Sequence, residues 1–280
     1  MFRGTWQLRA LDVGGGDESK LVARAPDGRR LFVKVGGMTQ PSVARVVGQM
    51  ALAPPLVAGG TLSDGRAIIV QPFVPGRTAD AAWLRAHQSQ VAAALRTLAT
   101  SKDLRRVLSL VGDGGPRSRA RTRHPILDGW YADIASSGWP GLARVRSVLD
   151  QLEAIAETLP EDGAQPVAVH ADPQPANWRV VDGQVYLTDW ETARLDDPVT
   201  DPSRVAIWCL PFEERPAFMR ACGLPSDDPV VHRMAHWQTT QYFAGIALWV
   251  VKRGRAARGD YFLDLSERLL ADGLWSLAPT

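Results

Sequence analysis

Cysteine is scarce in this chain: two residues in 280, Cys209 and Cys222. With no His or Cys at finger spacing around them, they exclude a disulfide framework and a zinc knuckle, and a reducing, cytoplasmic setting is expected. Long apolar runs are missing as well. The longest near the C-terminus, FAGIALWVV (Phe243 to Val251), is about half of what spans a bilayer, so it predicts a buried helix and no membrane partner. The start, MFRGTWQLRALDVGGG, has no apolar targeting core. Charge of one sign is absent too: 32 basic groups face 30 acidic ones, and no basic field argues for nucleic acid. Lysine is rare, with Lys20, Lys34, Lys102 and Lys252 the only four, and no glutamate occurs between Glu18 and Glu153. What remains is 45% hydrophobic and 22% charged, ordinary for a soluble globular chain of one large or two modest domains, with no internal repeat.

The first 75 residues read as β-rich. TWQLRALDV, KLVARA, RRLFVKV and RAIIVQPFV are short runs with β-branched or alternating apolar positions, separated by Gly and Asp turns. One helix interrupts them, in TQPSVARVVGQMALAPP: Pro41 suits its first turn, Val43, Val46, Val47 and Met50 supply its apolar spacing, and Pro54-Pro55 stops it. From Asp80 onward helical periodicity dominates, over Ala81 to Leu98, Gly141 to Leu159, Val230 to Val251 and Tyr261 to Trp275. The expected architecture is α+β and two-lobed: a small β-rich lobe over residues 1–74 and a larger helical lobe over 75–280. Residues 112–124, GDGGPRSRARTRH, read as a solvated connector.

One stretch breaks the helical character of the second lobe. AVHADPQPANWRVVDGQVYLTDWETA (Ala168 to Ala193) reads as two short strands around the turn VDGQ, and it holds Asp172, Asn177 and Asp189. Two carboxylates and an amide oxygen are hard ligands that can converge on Mg²⁺. A carboxylate within hydrogen-bond reach of a hydroxyl can also orient or deprotonate it. Phosphoryl transfer needs both functions, although Asp and Asn alone are common turn residues.

The surrounding residues add a resemblance. HADPQPANWRV followed by LTDWE resembles the catalytic loop and metal-binding motif of the aminoglycoside phosphotransferase family, a branch of the protein-kinase-like fold, written H-G-D-x-x-x-x-N and then D-W-E. His170, Asp172, Asn177, Asp189, Trp190 and Glu191 fall on that pattern, and Ala171 stands where Gly is usual. The resemblance implies that Asp172 is the catalytic base or orienter, that Asn177 and Asp189 hold Mg²⁺, that His170 shapes the loop, and that Asp201 braces it. It also implies ATP or GTP as phosphoryl donor, between which the sequence does not choose. Lys34, in the apolar strand LFVKV, is the expected phosphate cation, since a compact ammonium suits a phosphate clamp. The upstream VGGGDESKLV, with Gly15, Gly16 and Ser19, is the expected phosphate-covering turn. Gln71 to Val74 resembles the hinge, and Gln71 and Phe73 are therefore expected at the nucleotide base.

The chain departs from the family in lacking the first-lobe Glu that pairs with the strand Lys. Gln49 is the neutral substitute on the predicted helix, and Lys34 is then expected to be loosely held until phosphates order it. That leaves two readings, an active kinase, favoured because base and metal ligands are retained, and a nucleotide-binding pseudokinase. For the acceptor, residues 182–228 carry ten carboxylates against four arginines, which suits a cationic small molecule such as an aminoglycoside or basic peptide antibiotic. Glu191, Trp208, Trp237 and Tyr242 are candidate acceptor contacts, with the aromatics able to stack on a ring. Such an acceptor would make this a resistance enzyme, whereas a sugar, amino-alcohol or nucleoside acceptor would make it a metabolite kinase; a monomer or a homodimer is expected.

Overall fold

Asp-Gly turns and prolines set where the elements of this chain begin and end. The structure, a computed structural model, describes residues 6–11, 18–37, 40–111, 125–159 and 165–272. In chain order come β1 (Gln7–Ala10), β2 (Glu18–Arg24), β3 (Arg30–Gly36), α1 (Pro41–Gln49), β4 (Ala58–Thr61), β5 (Ala67–Pro72) and β6 (Arg77–Thr78). Helices α2 (Ala81–Ala86), α3 (Gln88–Thr100), α4 (Lys102–Val111), α5 (Pro125–Ile134) and α6 (Leu142–Glu157) follow. Four short strands come next: β7 (Val167–Val169), β8 (Trp178–Val181), β9 (Gln184–Leu187) and β10 (Arg194–Asp196). The chain closes on α7 (Thr200–Cys209), α8 (Arg215–Ala221), α9 (Pro229–Lys252) and α10 (Ala256–Asp272).

Contacts divide the chain into two units, and the division differs from the boundary expected near residue 75. The first holds the described residues of Met1–Asp80, Ser101–Gly114 and His170–Arg194; the second holds those of Ala81–Thr100, Gly115–Val169 and Leu195–Thr280. The Asp172 to Asp189 segment thus groups with the N-terminal strands. Two sets of bonds explain it: β6 pairs with β8, and the Leu187 N–H donates to the Leu52 carbonyl.

In the first unit, five antiparallel strands form a sheet in the order β1-β2-β3-β5-β4. The β2–β3 hairpin turns at Asp27-Gly28, where Gly28 takes a positive φ of 85° and the Asp27 carboxylate accepts the Arg29 N–H. The hairpin β8–β9 turns on Asp182 and Gly183, with φ of 49° and 79°, the double positive φ for which Asp-Gly is the preferred pair. Strand β4, AGGT, carries no apolar alternation and was not readable in the sequence; pairing with β5 makes it a strand. Helix α1 starts at Pro41 as expected and turns Val43, Ala44 and Val47 inward. Helix α4, also unforeseen, packs on α1 through buried Leu104 and Leu108.

The second unit is helical around α9. That helix begins on Pro229 with Asp228 as its cap, whose side chain accepts the Val230 N–H. The apolar run inside it is buried as expected: Phe243, Ala244, Ala247 and Leu248 are fully enclosed and join α5, α6 and α10 in one core. Fully burying a side chain such as Phe243 contributes about 2–3 kcal/mol. No helix of the described residues is long and apolar enough to cross a membrane. The single helix expected over Ala81 to Leu98 is two, because α2 ends before His87. There the imidazole stacks on Trp83, with ring centroids 3.9 Å apart, and its Nδ1 lies 2.8 Å from the Trp83 carbonyl. Helix α10 starts five residues earlier than its periodicity suggested, and its expected end at Trp275 lies outside the described residues.

Candidate active site

Strand register builds one wall of the site. Lys20, Lys34 and Ile69 are cross-strand neighbours on β2, β3 and β5, and Val22, Phe32 and Gln71 form the next row on the same face. All but Val22 line a cavity of about 390 Å³, a size within the usual range of small-molecule and cofactor sites. Lys34 is 4% exposed in the middle of an apolar strand. Ser19 pairs with Val35, one residue out of step, so its side chain leaves by the opposite face. Ser19, expected at the nucleotide, therefore does not line the cavity, whereas its neighbour Lys20 does. Lys20 was missed because its position opposite Lys34 exists only once the register does. Gly15 and Gly16 lie outside the described residues.

The opposite wall comes from the segment that follows β7. Ala171 has a φ of 67°, a left-handed conformation that bends the chain directly before Asp172 and explains why glycine is usual at this point. His170 is fully buried and braces the loop. Its Nε2–H donates to the Thr188 carbonyl at 2.9 Å, its Nδ1 accepts the Asp172 N–H at 3.3 Å, and its ring meets Trp190 edge-on. A 3-10 turn, Pro175–Asn177, then presents Asn177. The Asn177 Nδ2 donates to the Asp172 carbonyl (2.8 Å) and to Asp172 Oδ2 (2.9 Å), bonds that do not use the Asn177 Oδ1. Gln174 Nε2 donates to the same carboxylate oxygen at 2.9 Å. After β9, Thr188 ties back to Asn177 by backbone and hydroxyl bonds, and Asp189 adopts φ 67°, ψ 58° at the start of the next 3-10 turn. Strain of this kind persists only where surrounding bonds over-determine it.

The two walls meet through charge. Lys34 Nζ donates to Asp189 Oδ1 at 2.8 Å and forms an ion pair with Glu191, while Lys20 Nζ lies 3.9 Å from Asp189 Oδ2. Two ammonium groups opposite each other repel, and the two carboxylates offset that repulsion. Lys34 is thus held by carboxylates from the D-W-E motif, contrary to the expectation of a loose lysine. Gln49 is exposed at the end of α1, about 200° around the helix from buried Val47, and is not its partner. At the cavity stand Ala44 of α1 and Gln40, which directly precedes the helix, with Gln40 Oε1 buried and making no hydrogen bond among the described residues.

Asn177, Asp189 and Glu191 line the cavity, together with Gln71 and Phe73 from the hinge. Asp172 does not line it; its place beside the cavity is set by the two bonds from Asn177. Asn177 and Asp189 offer one amide oxygen and one carboxylate, the hard donors suited to a cation that completes its shell from phosphate and water. Among the described residues no cluster of three or more His, Cys, Asp or Glu forms a self-contained metal cage.

The aromatic candidates of the second unit fare differently. Trp237 is 3% exposed and belongs to the core, so it offers no face to a ligand, correcting its assignment as an acceptor contact. Trp208 packs edge-on against Phe243 and Phe262, and one face of Tyr242 is covered by the Arg204 guanidinium at 4.1 Å. The carboxylate surplus of 182–228 is mostly spent as well. Asp189 and Glu191 pair with Lys34, Asp196, Asp197 and Asp201 are buried, Glu214 pairs with Arg85 and Asp228 caps α9; Asp182, Glu213 and Asp227 are exposed. Cys209 is buried and Cys222 half-buried, and desolvation pushes both thiols up to about 12, which makes them inert packing groups.

A carboxylate beside an amide oxygen, a second carboxylate, and two ammonium groups around one cavity form the equipment of phosphoryl transfer. The model of the phosphotransferase enzyme family matches residues 13–237 of this sequence. The chain belongs to that family. It is a small-molecule kinase, a phosphotransferase with a hydroxyl as acceptor, in the α+β two-lobed kinase-like fold. Solved structures agree on the fold at low identity. A thermostable mutant of an aminoglycoside phosphotransferase is 20% identical, with a TM-score of 0.64 and 94% of each chain covered. A spectinomycin phosphotransferase in complex with ADP and spectinomycin is 13% identical, with a TM-score of 0.67, covering 96% of this chain and 93% of that one. An ethanolamine kinase of Plasmodium vivax is also 13% identical, with a TM-score of 0.68, covering 96% of this chain and 83% of that one.

Proposed function

We propose that this phosphotransferase moves the γ-phosphoryl group of a purine nucleotide to a hydroxyl of an amine-bearing small molecule. The observation that carries the proposal is the convergence of Lys34, Asp189, Asn177 and Asp172 within one unit, Lys34 bonded to Asp189 and Asn177 to Asp172. Lys34 and Lys20 would neutralise nucleotide phosphates, releasing Asp189 and Glu191 from their present pairing as they do so. Asn177 and Asp189 would hold Mg²⁺, which supplies charge neutralisation on the phosphates. Asp172 would accept the proton of the acceptor hydroxyl and orient it, with Asn177 and Gln174 holding the carboxylate in place. His170 keeps that loop in register.

For the acceptor, the support is chemical. The structural neighbours act on aminoglycosides, spectinomycin, ethanolamine and choline, all of which carry both a hydroxyl and an amine or quaternary ammonium. An antibiotic acceptor would make the protein a resistance determinant. The test is nucleotide consumption by the purified protein with Mg²⁺ and a panel of aminoglycosides, spectinomycin, choline, ethanolamine, sugars and nucleosides, with Asp172→Asn as control. Turnover that requires an amine-bearing acceptor and vanishes in the control supports the proposal. Turnover confined to neutral sugars or nucleosides overturns the acceptor class and leaves the reaction standing.

A further inference from the structure

Two kinds of cation need the same carboxylates in this cavity. Among the described residues that line it, Asp189 and Glu191 are the acids and Lys20, Lys34 and Arg179 the bases. Both oxygens of Asp189 face ammonium groups: Oδ1 accepts from Lys34 Nζ at 2.8 Å, and Oδ2 lies 3.9 Å from Lys20 Nζ. Glu191 is paired with Lys34 as well. Asn177, the other proposed metal donor, is neutral. A divalent cation approaching the free protein therefore meets two ammonium groups already seated on its anionic ligand, and like charges at that range repel.

The conflict follows from what the first helix lacks. No glutamate occurs between Glu18 and Glu153, and α1 carries no acid, so Lys34 has no countercharge on that side. Gln40 and Ala44, which line the cavity there, are neutral. A lysine that is 4% exposed needs a charged partner, and in this chain the D-W-E segment supplies it. Asp189 sits on a left-handed backbone next to Thr188, which is tied to Asn177 by two bonds, so its main chain is not free to withdraw. The lysines are free to do so, because each ammonium ends a flexible four-carbon stem. Phosphate oxygens offer them charge-assisted bonds of the kind that the carboxylates give them now.

We infer that Lys34 and Lys20 form a latch on the metal position, occupying Asp189 in the free protein and giving it up as phosphates draw them away. The inference rests on the phosphoryl-transfer reading and adds an order to it: the cation is admitted with the nucleotide and not before. One set of carboxylates serves two cations in turn, since the first helix provides no second set. Coupling of this kind is reciprocal, so whatever frees Asp189 from the lysines opens the metal position.

The test is binding of Mn²⁺, a paramagnetic substitute for Mg²⁺, to the full chain without nucleotide, followed by electron paramagnetic resonance. Lys34→Met and Lys20→Met each remove one arm of the latch. Gln40→Glu keeps both lysines and offers them a carboxylate of the same shape, at a side-chain oxygen that is buried without a hydrogen bond among the described residues. Each of the three is expected to bind Mn²⁺ more tightly than the wild type by about 5- to 150-fold, and adding Asp189→Asn should abolish the gain. Arg179→Met removes a cavity cation whose guanidinium donates to the Thr78 hydroxyl, and should change Mn²⁺ affinity by less than about threefold. An equal gain in Arg179→Met would reduce the effect to the general field of the cavity and overturn the latch. So would a wild type that binds Mn²⁺ without nucleotide as tightly as Lys34→Met does, or a gain that survives Asp189→Asn. A wild type that holds no Mn²⁺ even with ATP present removes the metal assignment itself, and the latch with it.

Discussion

Two buried charges, one in each unit, have opposite circumstances. Lys34 in the first unit is enclosed among strands yet meets Asp189 and Glu191 across a cavity. Asp197 in the second unit is 2% exposed; its carboxylate accepts the Val199 N–H at 3.0 Å, and its charged neighbour is Asp196, of the same sign. Desolvation, the largest influence, drives the Asp197 pKa up to about 6, partly countered by the Val199 bond and reinforced by Asp196. The first charge is paired with carboxylates that a ligand can replace. The second is a standing cost of folding at neutral pH. Buried charge beside a cavity therefore points to function here, and buried charge without a counter-ion points to strained packing.

The comparison is broken most severely at the reaction itself. Asp172→Asn retains an acceptor for the Asn177 and Gln174 amides but removes the ionised base, and kcat should fall by about 10²–10⁴-fold with nucleotide affinity nearly intact. Single-turnover kinetics and nucleotide titration measure both quantities. Unchanged kcat would remove Asp172 from the mechanism. Lys34→Ala is expected to lower kcat/KM by on the order of a hundredfold, as loss of about 3 kcal/mol of transition-state stabilisation requires. It also leaves Glu191 without its ammonium, so thermal stability of the free protein should drop. A variant with wild-type melting but poor kinetics would show that the ion pair contributes nothing to the free state.

Asp197 sharpens the other half of the comparison. Its folded pKa of about 6 lies above the ordinary carboxylate value of 3.8. Well below pH 3.8 it is protonated in both states and costs nothing; as pH rises towards 6 the unfolded chain ionises first, and stability falls. Asp197→Asn keeps an acceptor for Val199, and should stabilise the protein by on the order of 2–3 kcal/mol at pH 7–8 and by almost nothing at about pH 3. Denaturant melts at the two pH values decide it, and an equal effect at both would refute the charge argument. Ala171→Gly removes a left-handed alanine and is expected to gain about 1 kcal/mol or less, since the unfolded chain gains freedom too. A clear loss of stability would mean that the Ala171 methyl packs better than its conformation costs. Smallest of all, Gln49→Glu on the exposed end of α1 should change nucleotide affinity and stability within about 0.5 kcal/mol.

The residues proposed for the site stood out in the sequence because most of them are local. Asp172, Asn177 and Asp189 lie within eighteen residues, the Asp-Gly turn between them has one strongly preferred geometry, and the strand lysine stands out in a chain with four lysines. Partnership was not legible. Gln49 looked suitable for Lys34 from helix spacing, and only the inward face of α1, set by Val43, Ala44 and Val47, rules it out. Trp237 and Trp208 looked like a ligand shelf, and their rings are committed to the core of α9 and its neighbours.

By itself, then, the sequence determined the family, the α+β order of elements, the start of α1 at Pro41 and the residue types proposed for phosphoryl transfer. These depend on local rules: turn residues with few conformations, periodicity, and a motif whose members are close along the chain. Tertiary structure decided that Lys20 stands beside Lys34, that Ser19 faces away, that Asp189 and Glu191 hold the lysine, and that the Gln71 amide is locked by Pro54. Each of those is a matter of register or of contact between segments that can lie more than 150 residues apart, as Lys34 and Asp189 do at 155, and in a strand one residue of slip turns a side chain to the other face.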